Sequence, residues 1–102
     1  MDPSFQRQRQ LVEQYPDNEM ARFSLGKALY DAGQFAEARD QFRVALAKKP
    51  EWMAVHILTG RCELSLGDRS AARAAFERAR DLAIAQHHEG PLAEMEQALS
   101  EL

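Results

Sequence analysis

The chain has 102 residues, about one domain's length, which is enough to bury an apolar core without disulfides or metals. Apolar residues make up 45% and charged residues 28%, a balance that argues against intrinsic disorder. The net charge of -3 offers no general attraction to nucleic acid or to an anionic membrane, and the single Cys62 excludes an internal disulfide. No apolar run approaches the ~20 residues that span a bilayer, and residues 1–10 lack a signal-peptide core, so we expect a cytoplasmic protein.

The choice of residues favours helices along the whole chain. There are 17 Ala, 11 Leu, 10 Arg and 8 Gln, against 3 Val, 2 Ile and 1 Thr. β-Branched side chains lose rotamer freedom against the preceding helical turn, whereas Ala, Leu, Arg and Gln are good helix formers. The composition therefore predicts an all-α fold.

Helix-breaking residues divide the chain into six predicted helices. The breaks are Pro16, Gly33, Pro50, Gly67 and the pair Gly90-Pro91. The helices between them cover about residues 3–15, 18–32, 35–48, 52–66, 69–88 and 91–101. Asp17 and Asp68 are expected to accept hydrogen bonds from the free amides that open the second and fifth helices. Because the links are only a few residues long, neighbouring helices should pack as antiparallel hairpins.

The sequence repeats itself at a spacing of 34 residues. Six identical pairs share this register: Gly26 with Gly60, Gly33 with Gly67, Ala38 with Ala72, Arg39 with Arg73, Phe42 with Phe76 and Ala45 with Ala79. A glycine inside a helix costs roughly 1 kcal/mol relative to alanine, so Gly26 and Gly60 indicate a recurring close contact between helices. The two phenylalanines are expected to fill the space between hairpins. Gly33 and Gly67 should end their helices with left-handed backbone.

The repeated unit is similar to a known family. From Leu25-Gly26 through Phe35, Ala38 and Phe42 to Pro50, the sequence resembles the tetratricopeptide repeat (TPR), whose pattern has the same period of 34 residues. The resemblance implies a right-handed α-solenoid of antiparallel helical hairpins. Two TPR units, at residues 19–52 and 53–86, would lie between an N-terminal helix (3–15) and a C-terminal capping helix (91–101) in a single domain, 1–102. Short bacterial TPR proteins with two repeats between flanking helices have this organisation.

The last predicted helix is amphipathic. Leu92, Met95, Leu99 and Leu102 are spaced as one apolar stripe, and Glu94, Glu96 and Glu101 lie largely off it. One face can thus cover the last hairpin while the other meets water, as a terminal capping helix of a repeat array requires.

The TPR resemblance also implies a function. In that family the first helix of each repeat lines a concave face on which peptides bind. The residues carried over to this face are Met20, Phe23, Lys27, Tyr30 and Asp31 in the first repeat and Ala54, Ile57, Arg61, Leu64 and Ser65 in the second. The sequence therefore predicts a protein–protein interaction module, an adaptor that binds a short segment of a partner in the concave groove.

The predicted face combines apolar and cationic side chains. Lys27 and Arg61 match at the 34-residue shift and should stand side by side, where they suit an acidic side chain or a C-terminal carboxylate. Alternatively, both are simply solvated charges. The lysine–asparagine clamp with which some TPR domains hold acidic chaperone tails is absent, because Lys27 replaces an asparagine and Phe23 a polar residue.

Three large side chains have two interpretations each. Phe23 and Ile57 either belong to the binding face or are core residues under a neighbouring helix, such as the C-terminal one. Trp52 either lines the rim of the groove or, as we favour, packs the inter-repeat turn onto the next helix.

No pattern indicates an enzyme, a cofactor or a metal site. His87 and His88 are adjacent, so on a helix their rings point about 100° apart and cannot converge on one ion. Cys62 is interpreted as a small buried residue, with a reactive thiol beside Arg61 as the alternative. The arginines of residues 69–80 alternate with acids, which does not suggest nucleic-acid binding. The alternative function is self-association into a homodimer or scaffold through the exposed flanks of the repeat array.

Overall fold

The computed structural model describes residues 3–102, and the first two residues of the predicted domain lie outside this range. It contains six α-helices: α1 (Pro3–Gln14), α2 (Glu19–Asp31), α3 (Phe35–Lys48), α4 (Met53–Ser65), α5 (Arg69–Ala85) and α6 (Glu89–Ser100). No strand occurs in this part of the chain, so the predicted all-α class is confirmed. None of these helices is long and apolar enough to cross a membrane.

Each helix packs against the next one along the chain, which builds a right-handed α-solenoid of antiparallel hairpins. We call α2–α3 the first hairpin and α4–α5 the second hairpin; α1 and α6 flank them. The core consists of two clusters of buried side chains. The first cluster spans the four helices α1, α2, α3 and α4, with residues such as Val12, Leu29 and Val55. The second cluster spans α4, α5 and α6, with residues such as Ala79 and Met95.

Three of the turns share one geometry. The third residue of each turn donates its amide to a carbonyl five residues back, from Gln34 to Leu29, from Asp68 to Glu63 and from His88 to Ala83, each at 2.9 Å. The middle residue is left-handed in all three turns, with φ of 80° at Gly33, 85° at Gly67 and 58° at His87. The predicted role of the two glycines is confirmed.

The last turn lies earlier than the sequence predicts. Gly90-Pro91 was expected to break the chain, but both residues lie in the first turn of α6, where proline loses no hydrogen bond. The break falls instead at His87, so α5 ends at Ala85 and not near 88, and α6 begins at Glu89 and not at 91.

Of the two predicted helix N-caps, the structure confirms one. The Asp68 carboxylate accepts from the Ala71 amide at 3.0 Å, as expected. The predicted cap Asp17 is wrong: α2 starts at Glu19, which makes Asn18 the N-cap, and its Oδ1 accepts from the Ala21 amide at 2.9 Å.

The mid-helix glycines provide the close contact that the repeat predicts. A methyl group on Gly26 would lie 2.6 Å from Cε1 of Phe42, and a methyl group on Gly60 would overlap the ring of Phe76 in the same way. Each phenylalanine thus fills a notch inside its own hairpin. The ring fits there because glycine lacks a Cβ. Each also belongs to a core cluster that reaches the next element, Phe42 with Val55 of α4 and Phe76 with Met95 of α6, in line with the expected place between hairpins.

A buried ion pair joins the two hairpins. Glu63 on α4 is only 2% exposed, and its carboxylate accepts from Nη1 of Arg39 on α3 at 3.1 Å, with Arg43 Nη2 at 3.8 Å. The hydrogen bond and the charge of Glu63 raise the pKa of Arg39 above its usual range, so the guanidinium stays charged. At the equivalent position of the first hairpin, 34 residues earlier, Leu29 fills the same space with an apolar side chain.

Candidate binding face

The ten residues predicted on α2 and α4 are called the α2–α4 face below. On α2, Met20 is 54% exposed, and Phe23 is half-buried. The Phe23 ring lies 4.8 Å from the ring centroid of Trp52 and 6.2 Å from that of Phe42. One side of Phe23 therefore belongs to the core, and the rest of its surface remains accessible.

The polar residues of α2 satisfy one another. Lys27 donates to Asp31 through Nζ at 2.8 Å, and both side chains are about half exposed. The same ammonium lies 5.9 Å from the ring centroid of Tyr30, which in turn packs edge-on against Phe35 at 5.6 Å. Since an exposed ion pair contributes at most about 1 kcal/mol, a ligand carboxylate can replace Asp31 at little cost.

Trp52 lies between the two hairpins. It is the N-cap residue of α4 and is half-buried, with Phe23 against its ring and the Lys49 ammonium 4.7 Å from its centroid. It also borders a cavity of about 430 Å³ that reaches Ala54 and Gln86. Trp52 thus packs the inter-repeat turn against Phe23 of α2 and at the same time lines open space beside the α2–α4 face.

On α4 the face is partly covered. Ala54, Leu64 and Ser65 are exposed, with Leu64 at 43%. Ile57 is only 8% exposed and packs in the second core cluster with Met95 of α6. Its side chain is therefore closed to any ligand while α6 is in place.

The cation of α4 is held by α6. Arg61 Nη2 donates to Oε1 of Glu94 in a close ion pair, although both side chains are almost half exposed. Next to this pair, a cavity of about 310 Å³ lies between α4, α5 and α6. It is lined by the apolar side chains of Leu64 and Phe76 and by the guanidinium-bearing Arg61 and Arg69.

Sequence reasoning missed the contribution of α6 to this site. Glu94 was placed largely off the apolar stripe, on the side that meets water, and the structure shows it paired with Arg61. Arg69, one of the arginines that alternate with acids in residues 69–80, is exposed and also borders the cavity. The available signal was the acidic character of residues 89–102, which contain four glutamates and no basic residue.

Cys62 and His56 are both engaged within the fold. Cys62 is fully buried, and burial together with the neighbouring Glu63 charge raises the pKa of its thiol to about 11, which confirms the interpretation as a packed residue. His56 Nε2 lies 2.8 Å from the Pro50 carbonyl, to which its N–H donates; burial lowers its pKa. Within the described chain, no three His, Cys, Asp or Glu side chains are arranged to hold a metal ion.

Comparison with known proteins places this geometry among small bacterial repeat proteins. The chain is 35% identical over 80 residues to the TPR repeat-containing protein PA0015 of Pseudomonas aeruginosa, an alignment covering 78% of this chain and 74% of that protein. The solution structure of protein BPP2914 from Bordetella parapertussis is similar, with a TM-score of 0.83 and 28% identity over 99% of this chain and 88% of the other.

A second solved structure shares the fold at lower identity. The crystal structure of PcrH in complex with the chaperone binding region of PopD superposes with a TM-score of 0.87 and 22% identity, over 95% of this chain and 74% of that one. The family profile described as tetratricopeptide repeat matches residues 8–51 and again 23–87. With two hairpins in the same register, notched by Gly26 and Gly60, the chain belongs to the tetratricopeptide repeat family.

Proposed function

We propose that the protein is a non-catalytic adaptor of the cytoplasm that binds a short segment of a partner protein on the α2–α4 face. The observation that carries the proposal is the pairing of apolar and cationic groups on two equivalent helices. Lys27 and Arg61 occupy the same repeat position. The Lys27 ammonium lies 5.9 Å from the ring centroid of Tyr30, and Arg61 borders a cavity together with the exposed Leu64. Exposed apolar area beside charge that can be satisfied by a ligand is typical of peptide-binding surfaces.

The chemistry of the face favours a partner segment with a carboxylate. Lys27 and Arg61 each hold a carboxylate of the chain itself, from Asp31 and from Glu94. An acidic side chain or a free C-terminus can take the place of either one, because these pairs are exposed and weak. Two repeats provide a short groove, so we expect an affinity on the order of micromolar.

The fold relatives are consistent with a protein segment as the ligand. The PcrH structure holds a region of another protein, PopD.

The decisive experiment is affinity capture from the native lysate with the wild-type chain and with Lys27→Glu/Arg61→Glu. The double variant reverses both cations of the face and should lose a prey protein that the wild type retains. The matched control is Lys48→Glu/Arg73→Glu, which makes the same charge change at two exposed positions of α3 and α5. Prey that is unchanged in the face variant, or lost equally in the control, contradicts the proposal.

Self-association is the competing function, since both ends of the repeat array carry exposed apolar groups, for example Leu11 and Tyr15 near the first turn. Light scattering over a concentration series separates the two functions. A monomer at all concentrations excludes the scaffold, whereas a tight dimer that covers Met20 and Phe23 excludes the adaptor.

A further inference from the structure

α6 covers part of the α2–α4 face on the second hairpin, where Ile57 and Arg61 contact it and Ala54, Leu64 and Ser65 stay exposed. Its Met95 packs in one core cluster with the buried Ile57, and its Glu94 pairs with Arg61. Residues 89–102 carry Glu89, Glu94, Glu96 and Glu101 and no lysine or arginine. In chemical terms, α6 is an acidic amphipathic helix bound to a partly cationic, partly apolar surface.

The surface beneath α6 has more positive charge than α6 neutralises. The exposed guanidinium of Arg69 borders the 310 Å³ cavity beside Arg61 and makes no ion pair or hydrogen bond with any described residue. Glu101 also borders this cavity, yet its carboxylate accepts from Gln97 at 2.8 Å instead of from an arginine. A carboxylate in the cavity can pair with Arg69 in the way that Glu94 pairs with Arg61.

α6 also fills this surface incompletely. Met95 is its one fully buried side chain in the described range, and Leu92, Leu99 and Leu102 remain half-buried. The cavity lies directly against Met95 and Phe76, so larger apolar groups than those of α6 fit there. The link to α5 is three residues long and passes through His87, whose φ of 58° is unfavourable for a residue with a Cβ.

From these observations we infer that the surface under α6 is the docking site for an acidic amphipathic helix of a partner protein, and that α6 occupies it until the partner displaces it. Charge complementarity selects the occupant, because the site offers Arg61 and the unpaired Arg69 around an apolar floor. The inference rests on the proposed function in placing the partner on the same face, and it adds the helical, acidic nature of the partner and its competition with α6.

The probe for the test is a labelled synthetic peptide of residues 87–102, titrated with the full-length chain and followed by fluorescence anisotropy. The wild-type chain should bind it weakly, because its own α6 competes at a high effective concentration. Met95→Ser/Leu99→Ser loosens the internal α6 and should tighten peptide binding at least about ten-fold. Equal binding by the wild type and the loosened chain overturns the inference.

A charge test identifies the site. In the loosened chain, Arg69→Glu should weaken binding by about five-fold or more, since it removes an attraction and adds a repulsion. Lys48→Glu on α3 makes the same charge change away from the cavity and should leave binding unchanged. If Arg69→Glu has no effect, the site is wrong; this failure is distinct from failure of the proposed function, which is tested with Lys27, Arg61 and native prey.

Hydrogen exchange of the unmodified chain keeps the inference testable if the loosened variant fails to fold. The amides of α6 should exchange at least about ten-fold faster than those of α4 and α5, because a displaceable helix must open on its own. Equal exchange in the three helices overturns the inference. A dimer of the wild-type chain that the peptide dissociates also overturns it, since the occupant is then a second copy of α6.

Discussion

The two hairpins share their interiors and differ in their faces. Inside, the Phe42 ring lies against Gly26 and the Phe76 ring against Gly60 in the same way. Outside, Lys27 pairs within its own helix, whereas Arg61 pairs with Glu94 across to α6. Packing within a hairpin is thus set by residues that the repeat preserves, and the accessibility of the face is set by whichever helix comes next.

The largest losses of stability should follow from substitutions of the buried phenylalanines that the two hairpins share. Phe42→Ala and Phe76→Ala each remove a ring that is almost completely buried and should each cost about 3–5 kcal/mol in the free energy of unfolding. Urea denaturation followed by circular dichroism measures both losses. If the two losses differ by more than about 2 kcal/mol, the two interiors are not equivalent.

A smaller loss should distinguish the hairpins, because Glu63 stands where the first hairpin has Leu29. Glu63→Ala leaves Arg39 with only the exposed Asp40, 3.5 Å away, and should cost roughly 2–3 kcal/mol, less than for a fully buried pair since Arg39 is 25% exposed. The double variant Arg39→Met/Glu63→Leu restores an apolar contact like that of Leu29 and should lose less than Glu63→Ala alone. A double variant that is less stable than the single one would show that the ion pair itself stabilises the junction.

Substitutions at the left-handed residues of two turns should change the free energy of unfolding in opposite directions. His87→Gly removes the cost of a left-handed backbone at a residue with a Cβ and should raise the free energy of unfolding by about 0.5–1 kcal/mol. Gly67→Ala makes the reverse change in an equivalent turn and should lower it by about 1 kcal/mol or more. Thermal and urea unfolding of the two variants measure these changes, and a loss of stability in His87→Gly would contradict the comparison.

The smallest expected effect is a pH dependence of stability that arises from His56, near the start of α4. Burial lowers the pKa of His56 below its usual 6.5, so below that pH the unfolded chain takes up a proton more readily than the folded one. The contribution of His56 to stability is therefore complete above pH 6.5 and decreases as the pH falls. His56→Gln should flatten this part of the stability profile between pH 7 and 5. An identical profile for the variant and the wild type would show that His56 does not titrate differently on folding.

Most of the fold was predictable because it depends on local rules. Good helix formers, short links and the glycine–phenylalanine register predict six helices and their pairing, and the helices confirm it. The errors arose where two local signals competed. Gly90-Pro91 is a stronger breaker in sequence than His87, but proline is tolerated in a first helical turn, and the chain turns at the histidine instead.

The candidate site was less predictable because it depends on contacts between distant residues. Helical periodicity places Ile57 and Arg61 on one side of α4, but the burial of Ile57 and the partner of Arg61 depend on the seating of α6. The buried Glu63 shows the same limit, since only the arrival of Arg39 from the preceding hairpin allows a carboxylate at that place. Whether these residues take part in binding stays a prediction.

The position of Cys62 makes transient opening of the junction between the hairpins measurable. Its sulfur is inaccessible on α4 in the cluster that includes Phe42 of α3, and its high pKa keeps it protonated at neutral pH. A thiol reagent can reach it only when α3 and α4 separate. The alkylation rate therefore measures how often the two repeats separate transiently. Any ligand that bridges the two hairpins should lower the alkylation rate of Cys62. Thiol labelling can therefore detect such a ligand before it is identified.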